Sequence, residues 1–177
     1  SNLHGTRNVL EFCRRAGIRQ FHHVSTAYVC GLREDRVLES ELDVGQTHGN
    51  DYEISKCQSE QMVRSDEFLD PPTVYRPGII FGDPQTGYHS TFQDRLLVAR
   101  QPRREVLHLT GDERKNYVPV DWVSAAMTQI YANSAHHGRT YHLTPRQSVE
   151  IAMTQRIMEE AFLKYAELTS EVKASTA

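Results

Sequence analysis

The apolar positions of the chain come in short pulses between polar stretches, and their spacing predicts alternating helices and strands. Val9, Leu10, Phe12, Cys13 and Ala16 mark a helical stripe that Gly17 stops. Phe21 to Val24 reads as a short strand ending at Ser25-Thr26, and residues 31 to 51 are polar and irregular. A second helix is expected over 52 to 65, with Ile54, Cys57, Met62 and Val63 partly facing a core. Thr73 to Tyr75 reads as a strand that breaks at Pro77-Gly78, followed by a second apolar pulse, Ile79 to Phe81.

After residue 82 the pattern loosens. Residues 90 to 101 predict a helix and Val106 to Leu109 a short strand. "VPVDWVSAAMTQIYAN" then predicts a helix with Asp121 as its N-cap and Trp122 in the core. "RTYHLT" is another short strand. Residues 148 to 166 suit a helix with Ile151, Ile157, Met158, Ala161 and Phe162 inward, and residues 169 to 177 a frayed end. Short strands between helices imply βαβ units and a largely parallel sheet, hence an α/β fold.

Composition narrows the function classes. With 177 residues there is length for one domain, or one and a part. The 20 basic and 23 acidic residues are interspersed, so no basic block points to nucleic acid. Three cysteines (Cys13, Cys30, Cys57) are an odd number without C-x-x-C spacing, which suggests buried thiols in a reducing compartment. No apolar run approaches the roughly 18 residues of a membrane helix, and "SNLHGTRN" lacks a signal-peptide core. The expectation is a cytoplasmic chain with no membrane span.

One stretch carries candidate chemistry. In "GNDYEISKCQSE", Tyr52 and Lys56 stand four residues apart on a predicted helix, so both heads share one face. Alone, such a pair reads as a surface contact. Here "VSTAYVCG" ends a strand before it and "YRPGIIFGD" ends a strand after it, and ligands of open α/β sheets sit at the carboxyl ends of strands. An ammonium beside a phenol stabilises the phenolate and lowers a pKa of about 10 towards neutrality. With a hydroxyl at the strand end to hold a substrate oxygen, such a set is a proton-transfer device. His22-His23 and His136-His137 are adjacent pairs; strand neighbours point to opposite faces, so no metal site is expected from them. Arg76 reads as an ion-pair partner ahead of a phosphate ligand.

These motifs resemble the extended short-chain dehydrogenase/reductase superfamily. Within it the chain is most similar to the male-sterility or thioester-reductase branch, which includes fatty acyl-CoA reductases and terminal reductase domains of peptide and polyketide synthetases. The resemblance rests on Asn2-x-x-Gly5-Thr6, Val24-Ser25-Thr26-Ala27-Tyr28-Val29, Tyr52-x-x-x-Lys56, Tyr75-Arg76-Pro77-Gly78 and Gly82-Asp83. "VPVDWV" and "GRTYHLT" extend it, so that it covers roughly residues 2 to 144. It implies that residues 1 to 82 are the later part of a Rossmann-like doubly wound parallel sheet. Residues 83 to 177 are then a small substrate-binding region with returning Rossmann elements.

The resemblance also implies roles. Tyr52 is the general acid at a carbonyl oxygen, Lys56 lowers its pKa and holds the nicotinamide ribose, and Thr26 is the site hydroxyl, with Ser25 as its alternative. Pro77, Gly78 and Ile79 approach the nicotinamide through backbone, and Asn2 helps organise the site. The implied cofactor is NADP, ahead of NAD, and the implied substrate a small-molecule or carrier-bound acyl group. Nucleotide-sugar epimerases or dehydratases and hydroxysteroid-type dehydrogenases share the triad and stay open as alternatives. So does a catalytically incomplete binding or structural module. No G-x-x-G-x-x-G occurs, so the pyrophosphate-binding turn of the superfamily is expected from an N-terminal segment or another chain. A second copy of the chain is a further candidate partner.

Overall fold

The computed structural model describes residues 2–83, 85–86 and 112–154, with 156, 157, 160, 161 and 164 beyond them. The helix expected over 90 to 101, the strand Val106 to Leu109, Met158, Phe162 and the end from residue 169 lie outside the described residues. Helix α1 (Asn2–Ala16) leads to strand β1 (His22–Val24) and a 3-10 turn, Ala27–Cys30. Helix α2 (Asp51–Arg64) then precedes β2 (Thr73–Pro77) and β3 (Ile79–Phe81). After these come β4 (Arg114–Lys115), β5 (Tyr117–Pro119), α3 (Val120–Ala132), β6 (Thr140–Leu143) and β7 (Val149–Glu150).

The chain divides into two compact units, one of Ser1–Tyr88 with Tyr117–Pro145, the other of His89–Asn116 with Arg146–Ala177. In the first, β1, β2 and β6 form a parallel sheet in the order β1-β2-β6, with His23 opposite Val74 and Arg76 opposite His142. β3 and β5 form a second parallel pair. In the other unit β4 and β7 pair antiparallel, and Arg114 bonds both Ser148 and Glu150.

Side-chain alternation along the strands sorts the sheet of the first unit into two faces. Towards α3, Tyr75 and Leu143 pack with Val118 and Val123, and Met127 and Ile130 close over them. Towards α1 and α2, Leu10, Cys13, Val63 and Leu69 form a second core beside Phe21 and Phe68. On β1, His22 meets Tyr75 and Tyr131 on the α3 side, whereas His23 lies against Lys56 and Glu60 of α2. A parallel sheet with helices on both faces is the α/β arrangement that the alternating pattern predicts.

Several positional expectations are corrected. On α1 only Leu10 and Cys13 of the stripe are buried; Val9 and Phe12 are exposed, because α2 covers one narrow side of that helix. Ile54 is likewise exposed on α2. Helix α3 is capped at Pro119 rather than at Asp121, which instead accepts from the neighbouring Trp122 N–H. Starting the helix there rotates Val123 inward and leaves Trp122 45% exposed, not in the core. Strand β7 takes residues 149 and 150 from the helix expected from 148. Ile151 is buried behind it, while Ile157 and Ala161 are exposed.

One glycine fixes the course of the irregular stretch after the 3-10 turn. Gly31 has φ of 62°, and a Cβ there would stand 2.2 Å from the Thr47 carbonyl oxygen. The Leu32 N–H bonds that same oxygen at 2.8 Å, so the close approach is a hydrogen-bonded crossing of backbone. Gly31→Ala combines a left-handed residue with backbone overlap and is expected to destabilise the fold by about 2–4 kcal/mol. Urea unfolding of wild type and variant measures it; a loss below about 0.5 kcal/mol, the range of neutral surface changes, would contradict this reading.

Candidate active site

The helix that carries Tyr52 and Lys56 starts where it does because of a reciprocal cap. Asn50 Oδ1 accepts from the Glu53 N–H at 3.0 Å, and the Glu53 carboxylate accepts from the Gly49 N–H at 2.8 Å and from Asn50 Nδ2 at 2.9 Å. This satisfies the Glu53 N–H, one of the orphan donors of the first turn, and fixes where the helix starts. Tyr52 follows directly and is 53% exposed. One turn on, Lys56 Nζ donates to the Val24 carbonyl oxygen at 2.6 Å, at the carboxyl end of β1. Burial lowers the Lys56 pKa, and Glu60 partly offsets the effect.

The hydroxyls at that strand end face inward. Thr26 caps the 3-10 turn, accepting from the Tyr28 N–H at 3.3 Å, and its Oγ1 donates to the Pro77 carbonyl at 3.4 Å. Thr26 is 4% exposed. The Ser25 N–H bonds the Tyr75 carbonyl at 2.7 Å, continuing the ladder of β1 on β2. Ser25 Oγ is buried without a hydrogen bond of ordinary geometry, yet lies close enough to Glu60 to favour its charged form. The Gly78 N–H is committed to the Leu143 carbonyl at 3.0 Å, and Ile79 opens β3 opposite Tyr117. Asn2 Nδ2 donates to Ser55 Oγ at 3.0 Å, and Ser55 Oγ donates to the Tyr52 carbonyl, so α1 is tied to the turn that bears the phenol.

Thus Ser25, Thr26 and Lys56 gather at the carboxyl ends of β1 and β2, and the Thr26 bond reaches Pro77. Tyr52 lies one helical turn from Lys56 with an accessible ring. No hydrogen bond joins Thr26, Tyr52 and Lys56 directly among the described residues; the link is Lys56 to Val24, two residues before Thr26. Among the described residues no group of three histidine, cysteine or acidic side chains is placed to hold a metal ion.

Beneath the site Arg76 meets Glu60, a residue that sequence reasoning missed. Glu60 and Arg76 are both fully buried; Arg76 Nε donates to Glu60 Oε2 at 3.1 Å and Nη2 to Oε1 at 2.7 Å. Arg76 also donates to the Glu41 carbonyl at 2.8 Å and meets His142 Nε2 at 3.2 Å. Burial opposes the Glu60 charge, but Arg76, Ser25 and Arg64 outweigh it and hold the carboxyl below its usual range. The reading of Arg76 as an ion-pair partner agrees with this geometry. The available signal for Glu60 was its spacing, since Tyr52, Lys56 and Glu60 recur every fourth residue on one face of α2.

A parallel sheet layered by helices, with an ammonium at its carboxyl edge and a phenol one turn away, places the chain among Rossmann-like α/β proteins. The chain belongs to the NAD-binding male sterility protein family, whose model matches residues 1–127. It is 29% identical over 178 residues to the nonribosomal peptide synthetase asaC of Aspergillus flavus, covering 90% of this chain and 17% of that protein. It is 30% identical over 180 residues to the aldehyde reductase lnbA of the same fungus, covering 91% of this chain and 17% of the relative. Among solved structures, the terminal R domain from the myxalamid PKS-NRPS biosynthetic pathway superposes with a TM-score of 0.69 at 32% identity. That match covers 82% of this chain and 38% of the R domain. The chain therefore spans about a sixth of the length of these two curated relatives. No helix among the described residues is long and apolar enough to cross a membrane.

The pH dependence of stability reports on the site. His23 is buried on β1; desolvation, with Lys56 nearby and Glu60 opposing, pushes its pKa down to about 4. His22 and His142 are shifted in the same direction by burial, aided by His137 and Arg76 respectively. A depressed folded-state pKa means that the unfolded chain binds the proton first. The stability that neutral His23 contributes is complete above the ordinary value near 6.5 and is lost as pH falls towards 4. Between pH 7 and 5 this group alone should cost about 2 kcal/mol. Urea titrations at the two pH values should show the loss in wild type and a smaller one in His23→Asn. Equal losses in both would contradict the assignment.

Proposed function

We propose that this chain supplies the nicotinamide-facing part of an NADP-dependent reductase site acting on a carrier-bound acyl thioester or a related carbonyl. The observation that carries the reading is the placement of Tyr52 and Lys56 on one face of α2, with the Lys56 ammonium bonded at the carboxyl end of β1. Support for the substrate class comes from relatives named as peptide synthetases, an aldehyde reductase and a terminal R domain.

The residues at the strand ends suit a nicotinamide and its ribose: Lys56 offers a cation, Ser25 a buried hydroxyl beside Glu60, and Pro77, Gly78 and Ile79 a backbone wall. When bound there, the cofactor supplies a hydride to the carbonyl carbon. Tyr52 gives the phenolic proton to the carbonyl oxygen, and the positive charge of Lys56 stabilises the phenolate left behind. Thr26 orients the oxygen that Tyr52 protonates by turning its single O–H from the Pro77 carbonyl, 3.4 Å away, towards that oxygen. Asn2, through Ser55, steadies the turn that carries the phenol.

The described residues include no Gly-rich strand–turn–helix, so a preceding segment or another chain supplies the pyrophosphate cradle. β1 offers an edge for such a partner, since among the described residues it pairs only with β2. NADPH should therefore bind the 177-residue chain orders of magnitude more weakly than the complete protein, each lost charge-assisted bond contributing about 1.5–3 kcal/mol. Calorimetric titration measures this. Micromolar binding to a monomer of the isolated chain would overturn the split-site reading.

Tyr52→Phe in the full-length protein removes the proton donor with little change of shape. Thioester reduction should fall about 10²- to 10⁴-fold in kcat, with the circular dichroism spectrum unchanged. Near-normal turnover would assign the acid elsewhere. Turnover of a nucleotide sugar and none of an acyl thioester would transfer the site to the epimerase or dehydratase alternative.

A further inference from the structure

The lysine of the site has an obvious rival partner. Glu60 follows Lys56 by one helical turn, the spacing at which a lysine and a glutamate normally form an ion pair. In this structure they do not pair: Lys56 donates to the Val24 carbonyl, and both Glu60 oxygens are held by arginines. Oε1 accepts from Arg76 Nη2 at 2.7 Å and from Arg64 Nε at 2.9 Å, while Oε2 accepts from Arg76 Nε at 3.1 Å. Arg64 is fixed in turn by Thr140 Oγ1 at 2.6 Å, and Arg76 by the Glu41 carbonyl.

We propose that Arg76 and Arg64 are positioning residues that sequester the Glu60 carboxylate and so leave the Lys56 ammonium free to serve the strand end. The inference rests on the reading of Lys56 as the support of Tyr52 and adds the residues that keep it available. The physical ground is charge accounting in a buried space. An uncompensated carboxylate one turn away would attract the ammonium far more strongly than a neutral carbonyl does. Two guanidinium groups on Glu60 weaken that attraction, leaving burial as the larger influence on Lys56. Other groups facing Lys56 are His23 from β1, which burial keeps neutral, and Tyr52 on its own helix. The direction of the Lys56 shift agrees, since burial outweighs the opposing effect of Glu60.

Competitive acylation of the chain's four lysines at about pH 8, read by mass spectrometry, tests this without cofactor or substrate. Its outcome therefore stands apart from whether the whole protein reduces a thioester. In Arg76→Met, Oε2 is released, Lys56 is drawn to it, and its labelling should slow about three- to tenfold relative to Lys115. In Glu60→Gln the attraction is gone and labelling of Lys56 should equal or exceed wild type. The double variant Arg76→Met/Glu60→Gln should recover the fast rate, which a merely structural role for Arg76 does not predict. Because Arg76 is fully buried and its loss strains the fold, Arg64→Met, at a partly exposed side chain, gives the same direction at smaller amplitude. Slowing in either arginine variant, reversed by Glu60→Gln, supports the proposal. Unchanged Lys56 labelling in a folded Arg64→Met or Arg76→Met chain, or slowing that persists in the double variant, overturns it.

Discussion

The ion pair between Arg76 and Glu60 is the contact on which the rest of this unit depends. It joins the middle strand of the sheet to the helix that carries Tyr52 and Lys56, with neither side chain exposed. Taking two such charges from water costs several kcal/mol each, and the attraction repays this only when the remaining donors and acceptors are filled. Here they are filled: Arg76 also reaches the Glu41 carbonyl and His142, and Glu60 also takes Arg64. One guanidinium thereby ties together β2, β6, α2 and the irregular stretch between Thr26 and Tyr52. Removing either partner alone leaves a buried charge, the kind of change that costs about 3–5 kcal/mol.

The site is built upon that base by backbone and caps more than by side-chain contacts among its members. The Asn50–Glu53 cap sets where α2 begins, and the i, i+4 spacing does the rest, because a fixed start makes the faces of the helix predictable. Thr26 bonds the 3-10 turn and, at 3.4 Å, the Pro77 carbonyl, which links the ends of β1 and β2. What remains available to a ligand is an exposed phenol with an ammonium one turn away, a combination suited to donating a proton and stabilising the resulting anion.

Much of this was legible in the residues. The alternation of short apolar pulses predicted α/β organisation, and the motifs around Thr26, Tyr52 and Pro77 led to the family that the model match establishes. What was not legible depends on rotational phase and on long-range charge. Trp122 and Phe12 looked like core residues because an apolar side chain carries no record of which helix face the neighbours cover; both are exposed. Asp121 resembled a cap, but β5 runs straight into α3 at Pro119, too early in the chain for Asp121 to cap it. Glu60 was overlooked since a lone carboxylate on a helix is normally solvated. Its burial follows only from Arg76, 16 residues further along the chain.

The central claim is that Tyr52, backed by Lys56, protonates a carbonyl oxygen while hydride reaches the adjacent carbon. Isotope transfer in the full-length protein tests it most directly. With NADPH deuterated at both C4 positions and an acyl thioester on a carrier or pantetheine arm, mass spectrometry of the product should find deuterium on the former carbonyl carbon. Incorporation should collapse in a folded Tyr52→Phe variant that still binds the cofactor. Deuterium transfer at the wild-type rate in that variant, or a product formed without deuterium, would contradict the account.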